Sequence, residues 1–313
     1  MYNPFMKLVV QIPCFNEEDN IGNVLEALPK HIDGINEIKT VVLDDGSTDK
    51  SAEIAKKYNV EVLSSKKRQG LSFVFKSGID YALSQGADIL VNTDGDNQYC
   101  ADEIEKLLQP ILSKEADITI GARPINKIKS FSPLKKILQK FGSYIVKTLS
   151  GINVKDAPSG FRAYNKKALL AINVFNPFTY TIESIIQAHI KNLVIKNVDI
   201  NVNEQKNRKS KLFKNDFDYI FKQAKNLIRF LIIYRPARFF SSFGIFLLAI
   251  GTLIGIRFLY YSTGHIQSLI LCAIILSLSF ICFALAILGD LFSINRKLLE
   301  DIRYEIRYQK YKK

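Results

Sequence analysis

Only four cysteines occur in 313 residues, at widely separated positions, which excludes a disulfide scaffold and a zinc ribbon and fits a reducing compartment. No Gly-x-Gly-x-x-Gly follows the first apolar run, which argues against a dinucleotide fold, and no Gly-Lys-Ser/Thr phosphate loop is present. The opening stretch LVVQIPCF is too short for a signal peptide and runs straight into acidic residues, so none is expected. A composition of 48% hydrophobic and 23% charged residues excludes a disordered or collagen-like chain, and the length allows one large domain or two ordinary ones.

The net charge of +13 is unevenly spread. Residues 1–203 carry 25 basic and 23 acidic side chains, whereas 204–313 carry 18 and 7. The excess flanks two long uncharged apolar runs, so nucleic acid is not the expected partner and a membrane surface is.

Those runs are the 18 residues from Phe239 to Ile256 and the 22 from Ser268 to Gly289. Each is long enough to cross ~30 Å of hydrocarbon as a helix. Arg257 can snorkel, and Tyr260, Tyr261 and His265 suit an interface. Lys222, Lys225, Arg229, Arg235 and Arg238 before the hairpin, and Arg296, Lys297, Arg303, Arg307 and Lys310 after it, put both termini on the cytoplasmic side by the positive-inside bias. The alternative is a pair of buried core helices. Upstream, Phe217, Ile220, Phe221, Ala224, Leu227, Ile228 and Leu231 form a helical stripe that either lies in the membrane surface or packs on the soluble domain. The expected organisation is a soluble domain at 1–215, a juxtamembrane amphipathic helix at 216–235, a transmembrane hairpin at 236–290 and a basic cytoplasmic tail at 291–313. The hairpin also offers faces for homo-oligomer formation.

Within the soluble part, β-rich runs alternate with helical patterns: KLVVQIP then 19–29, IKTVVLDD then 49–58, VEVLSS then 71–84, ADILVNTD then 101–113, and DITIGA. This alternation predicts an α/β fold with a mainly parallel sheet and ligands at the carboxyl ends of its strands. Three strand ends carry polar clusters: Pro13, Asn16 and Glu17; Asp44 to Asp49; and Asp94-Gly95-Asp96 followed by Gln98. Asp94 and Asp96, two apart in an extended segment, can converge on one hard divalent cation. Residues 1–126 hold 13 basic and 20 acidic groups, so a phosphate ligand there needs such a cation. Taken singly, Ser47, Thr48 and Asp49 could cap a helix, and Asp94-Gly95-Asp96 could be a turn.

IPCFNEE, VVLDDGSTD, NTDGDNQ and DAPSGFRAY, in this order and spacing, resemble glycosyltransferase family 2. The resemblance runs on through YRPARFF and both apolar runs, and is nearest to the dolichol-phosphate mannose synthase and bacterial polyprenyl-phosphate glycosyltransferase branch. It implies a GT-A fold followed by a two-helix transmembrane hairpin. It also implies transfer of a sugar, with inversion, from a nucleotide diphosphate sugar to a polyprenyl phosphate, undecaprenyl or dolichyl. A UDP-sugar is expected in preference to a GDP-sugar, with Mg2+ or Mn2+ as cofactor.

By that resemblance Pro13, Asn16, Glu17, Asp44, Asp45, Ser47 and Arg68 line the nucleotide pocket. Asp94 and Asp96 hold the metal, with Gln98 beside them; Gly95 stands where many relatives have Ala. Arg123, Lys136, Ser159 and Arg162 face the acceptor phosphate, and Arg208 and Lys211 belong to a basic loop closing over the nucleotide. Asp156 matches the catalytic carboxylate, with Asp96 and Arg123 as the other catalytic residues. A phosphate monoester is largely dianionic at neutral pH, its second pKa being about 6, so Asp156 need not be a strong base and could instead orient the acceptor or help shape the metal site. After Arg123 the chain turns basic, with Lys127, Lys129, Lys135, Lys136, Lys140 and Lys147, and Leu134, Ile137, Leu138, Phe141 and Ile145 make the stretch from 134 an expected amphipathic helix with a cationic face. Glu183 is either a supporting carboxylate or a surface acid. The alternatives are a family member acting on another lipid or a polysaccharide, and a silent scaffold with the same fold. Processive polysaccharide synthases carry a Trp signature and more spans, and this chain has no Trp.

Overall fold

The computed structural model describes residues 5–125, 143, 146–147, 151–175, 180–203, 225, 228–261 and 266–312. The chain forms two compact units, one made of Met1–Asp216 with Tyr304–Lys313 and the other of Phe217–Arg303.

The first unit is built on a seven-stranded sheet of order β3-β2-β1-β4-β6-β5-β7. Its strands are β1 (Lys7–Cys14), β2 (Glu37–Asp44), β3 (Glu61–Ser64), β4 (Ile89–Asn92), β5 (Ile118–Ala122), β6 (Arg162–Asn165) and β7 (Ile195–Asp199). The central strands β1, β4 and β5 are near-continuous apolar runs because both faces of the sheet are covered. Helices α1 (Ile21–Ala27), α2 (Ser51–Ala55), α3 (Leu71–Ser84) and α4 (Glu103–Leu112) follow the first four strands, each within three residues of the bounds the sequence pattern predicts. Helix α4 shows why: Ile104, Leu107, Leu108 and Ile111 recur on one face and are buried.

The chain winds outward from β1 through β2 to β3, then returns to β4 on the other side of β1. Strand order therefore reverses between β1 and β4, and the carboxyl ends of these strands are where open α/β sheets of this kind bind ligands. Strand β6 is the exception to parallel pairing. It runs antiparallel between β4 and β5, with Asn92 opposite Arg162 and Ile120 opposite Arg162. An antiparallel strand begins where its parallel neighbours end, so the segment leading into β6 arrives at the same rim. Helices α5 (Lys166–Ala171) and α6 (Tyr180–Ile190) also belong to this unit.

The second unit contains α7 (Pro236–Tyr261) and most of α8 (Ile266–Lys310), both long and apolar enough to cross a membrane. Only 11% of the most apolar stretch of the first and 22% of that of the second is buried, unlike the core helices of a soluble protein. Small residues let the two helices approach: Ser279 Oγ donates to the Gly244 carbonyl at 2.8 Å and Cys272 Sγ to that of Gly251 at 3.2 Å. Helix α8 continues without a break through the basic stretch to Lys310, and Tyr304 onward belongs to the first unit. Of the predicted juxtamembrane helix, residues 228–234 are described and helical; Phe230 and Tyr234 are buried, while Ile228 on the predicted stripe is exposed.

Candidate active site

The carboxyl ends of β2, β1 and β4, adjacent in the sheet, carry Asp44-Asp45, Pro13 and Asp94 respectively. The three polar clusters thus share one rim. Parallel register sets Cys14 beside Asp44 and Gln11 beside Asn92, and Gly95 N donates to the Pro13 carbonyl at 3.2 Å.

Much of this rim is stitched to itself. Asn16 N donates to Ser47 Oγ at 2.9 Å, and Asn16 Oδ1 accepts from Thr48 N at 2.8 Å, tying the loop after β1 to the loop after β2. Asp44 Oδ1 accepts from Ser47 N at 2.9 Å. Glu17 is buried; its N donates to Ser51 Oγ at 2.6 Å and its Oε2 accepts from Asn20 Nδ2 at 3.1 Å. Asp45 is buried too, and its two oxygens accept from Gln69 N at 2.7 Å and Gly70 N at 2.9 Å, which fixes the turn that opens α3. Gly46, at φ 76°, lets the backbone of Lys67 and Arg68 pass about where a Cβ would stand, with Arg68 N at 3.1 Å from that position. Arg68 then lies over the Phe15 ring, 4.1 Å from its centroid. Burial, the largest influence, pushes the Cys14 thiol up to about 12, so it is no nucleophile at this rim.

Asp94, Asp96 and Gln98, just past the end of β4, are half-buried. Asp96 Oδ1 accepts from Gln98 N at 3.0 Å, closing a turn through Asn97, whose φ is 58°. Both Asp94 carboxylate oxygens lie against Gly160, 3.0 and 3.1 Å from where a Cβ there would stand. The carboxylate is thus seated in a cradle only glycine leaves open. A pair of carboxylates is a hard-oxygen donor set that fits Mg2+ or Mn2+. Among the described residues no group of three or more His, Cys, Asp or Glu comes together as a complete metal cage, so water and a phosphate-bearing ligand would supply the other positions.

Behind Asp94 is a buried polar network that sequence reasoning missed. Gln11 Nε2 donates to Asn92 Oδ1 at 2.7 Å, and Asn92 Nδ2 donates to the Gly160 carbonyl at 2.8 Å and to Tyr180 Oη at 2.9 Å. Gly160 N donates to Tyr99 Oη at 3.1 Å. Burial foremost, with the Asp94 charge, raises the Tyr180 phenol well above its ordinary value; burial pushes Tyr99 up to about 12, Arg123 opposing and Asp94 and Asp156 adding to it. Both hydroxyls stay protonated. The available signal was Gln11 and Asn92 themselves, amides inside apolar strands.

The segment entering β6 brings Asp156 to the end of β5, where Arg123 grips it. Arg123 Nε donates to Asp156 Oδ2 at 2.6 Å and Nη2 to Oδ1 at 3.0 Å, with Arg123 N at 3.3 Å from Oδ2. Burial works against the arginine charge, but the carboxylates of Asp156, which it grips, and of Asp94 raise the Arg123 pKa. Ser159 is buried beside them. Arg162 requires a correction. Expected on a phosphate, it is fully buried and donates to the carbonyls of Ser159, Thr181 and Ala157 and to Ser184 Oγ, all within 2.6 to 2.8 Å. Its donors hold the Asp156 loop to α6. Glu183 is no surface acid: it is buried and accepts from Phe175 N at 3.0 Å. Lys136, Arg208, Lys211 and the amphipathic stretch from residue 134, apart from Ser143, Val146 and Lys147, lie outside the described residues.

The sequence matches the profile of Glycosyl transferase family 2 over residues 9–172, a span that contains both strand-end loops, the paired aspartates and Asp156. A UDP-N-acetylglucosamine–dolichyl-phosphate N-acetylglucosaminyltransferase of Methanococcus voltae is 34% identical over 182 residues, 52% of this chain and 70% of that protein. A polyprenol monophosphomannose synthase of Mycolicibacterium smegmatis is 27% identical over 183 residues, 55% and 66% of the two chains. Matches to such relatives span between about half and 70% of their length. Glucosyl-3-phosphoglycerate synthase from Mycobacterium tuberculosis, solved in complex with Mn2+, UDP and glucosyl-3-phosphoglycerate, superposes with a TM-score of 0.54 at 18% identity, covering 72% of this chain and 79% of that one. The sheet is therefore the mainly parallel one that the strand alternation predicted, in the GT-A arrangement that the resemblance implied. With a glycosyltransferase fold, the strand-end motifs on its rim and the profile match over half its length, the chain belongs to glycosyl transferase family 2.

Proposed function

We propose that this protein transfers a sugar from a nucleotide diphosphate sugar to a polyprenyl phosphate at the cytoplasmic face of a membrane, inverting the anomeric carbon. The observation that carries the reading is the juxtaposition of an acidic rim, Asp94 and Asp96, with the Arg123–Asp156 pair, in a chain that also has two apolar helices of spanning length. Relatives named for dolichyl-phosphate and polyprenol-phosphate products support this acceptor class, and the UDP complex of the structural neighbour supports a uridine donor.

Pro13, Asn16, Glu17, Asp44, Asp45 and Ser47 shape the nucleoside end of the site, with Arg68 over Phe15 as its wall. Asp45 acts through the Gln69-Gly70 turn that it holds. Asp94 and Asp96, with Gln98 beside them, would hold Mg2+ or Mn2+, which neutralises the donor diphosphate and stabilises it as a leaving group. Arg123 suits the acceptor phosphate, because a guanidinium recognises phosphate oxygens in a fixed geometry. Asp156, with both oxygens on Arg123, orients that guanidinium rather than taking a proton. A dianionic phosphate needs no base: its oxygen forms the new bond to the anomeric carbon while the bond to the diphosphate breaks and the nucleoside diphosphate leaves. Lys136 adds positive charge for the headgroup, and Arg208 and Lys211 would meet the departing diphosphate. Holding the site at the membrane surface raises the effective acceptor concentration.

The test is a panel of labelled nucleotide sugars incubated with the full chain, Mg2+ and either undecaprenyl phosphate, dolichyl phosphate or diacylglycerol. Label should appear in a phosphate-linked lipid. Exclusive labelling of diacylglycerol, or of none of the three, would contradict the acceptor assignment.

A further inference from the structure

The turn that carries Asp96 and Gln98 is held from outside by a residue more than a hundred positions away. Asn203 N donates to the Gln98 carbonyl at 2.9 Å. Its side-chain Nδ2 donates to the Asn97 carbonyl and to Asn97 Oδ1, each at 3.1 Å, and to the Tyr99 carbonyl at 3.4 Å. Its Oδ1 accepts from Cys100 Sγ at 3.0 Å. Every one of these bonds falls on residues 97–100. Next to it, Val202 forms an antiparallel bridge with Tyr99, and Asn201 donates through N and Nδ2 to Glu103 Oε1 at 3.0 and 2.6 Å. Residues 201–203 are a strap across the base of the turn.

The strap answers a physical need. Asn97 sits at φ 58°, a left-handed conformation that asparagine adopts more readily than most residues with a Cβ, and the turn carries two carboxylates two residues apart. Two like charges this close repel one another, so bonds from outside the turn are needed to keep the acids together. Asparagine is suited to supply them, because its short amide donates to the Asn97 and Tyr99 carbonyls and accepts from the thiol at once. Asp94 is fixed from the other side by the Gly160 cradle and the Asn92–Tyr180 network behind it.

We propose that Asn203 is a positioning residue for the metal-binding turn: it holds Asp96 and Gln98 in the geometry that accepts a divalent cation. The inference rests on the reading that Asp94 and Asp96 hold the ion. It predicts that cation affinity depends on a side chain that never touches the cation, as is usual for groups that orient metal ligands.

The experiment measures Mn2+ binding by the full chain in detergent, from the electron paramagnetic resonance signal of the free ion, with and without UDP. Asn203→Ala and Asn203→Gln should each raise the Mn2+ dissociation constant about tenfold or more, at an unfolding midpoint near that of the unsubstituted protein. Asp96→Ala should abolish binding. A dissociation constant within about twofold of the original in Asn203→Ala, with Asp96→Ala inactive in binding, would overturn the role of Asn203 and leave the metal reading standing. Unchanged binding in Asp96→Ala would remove the metal reading itself. Failure of both Asn203 variants to fold would also overturn the proposal, by making Asn203 a general stability residue.

Discussion

Arg123 and Asp156 form a two-pronged ion pair, Nε to Oδ2 at 2.6 Å and Nη2 to Oδ1 at 3.0 Å, with side chains only 7% and 1% exposed. Breaking a buried pair from one side strands the other charge, at a cost of about 3–5 kcal/mol. Asp156→Asn and Arg123→Met should each destabilise the protein by that order and abolish transfer. The double variant Arg123→Met/Asp156→Leu should recover much of the stability and none of the activity. Thermal unfolding of the three variants, with an activity assay on each, separates structural from chemical loss.

Gly160 offers a cleaner probe of the metal site. A methyl group there would meet both Asp94 oxygens at about 3 Å and Tyr180 Oη at 3.2 Å. Gly160→Ala should therefore displace the Asp94 carboxylate while the sheet remains intact. The expected result is a rise of about tenfold or more in the metal concentration needed for half-maximal activity. An unaltered metal titration would show that Asp94 has no part in metal binding.

The end of α8 is tied into the first unit by Arg307, which is buried. Its Nη1 donates to the carbonyls of Leu169 and Ile172 at 3.3 and 3.1 Å, and its Nη2 to Asp80 Oδ1 at 2.6 Å. Asp80 is half-exposed, so most of the contribution lies in capping the end of α5. Arg307→Ala should cost about 1.5–3 kcal/mol of stability, the range for hydrogen bonds from a charged group. Removing residues 304–313 should lower the unfolding midpoint of the whole first unit, although no active-site motif is touched.

Asp117 supplies a pH signature. Burial raises its pKa, but hydrogen bonds from Val194 N, Asn165 Nδ2 and Lys167 Nζ outweigh burial and lower it below the ordinary value. A depressed folded pKa adds stability that is fully present above the unfolded value, about 3.9, and is lost as pH falls through the folded one. Asp117→Asn should be less stable than the original chain at neutral pH. The gap should narrow as pH drops below about 4, which melts recorded across that window would reveal.

The sheet was legible because its strands are apolar runs and its helices keep their stripes; α3 spans Leu71–Ser84 as the pattern predicts. The shared rim followed from strand ends alone. Strand β6 was harder: it is four residues long, and antiparallel pairing leaves no periodic trace in RAYN. Without it the burial of Arg162 could not be foreseen, since an arginine beside a motif reads the same whether it meets a ligand or four protein acceptors. Asn203 was invisible for a related reason: three of its five bonds go to backbone carbonyls, which carry no sequence signature.

The account turns on a cation joining the Asp94–Asp96 turn to the donor before sugar can pass to a lipid phosphate. The most direct measurement is transfer of labelled sugar into the organic phase by the full chain with polyprenyl phosphate, after exhaustive chelation and again after adding back Mg2+ or Mn2+. The account predicts no transfer in the chelated sample, recovery on addition of either ion, and no recovery in Asp96→Ala. Full transfer by the chelated protein would contradict it.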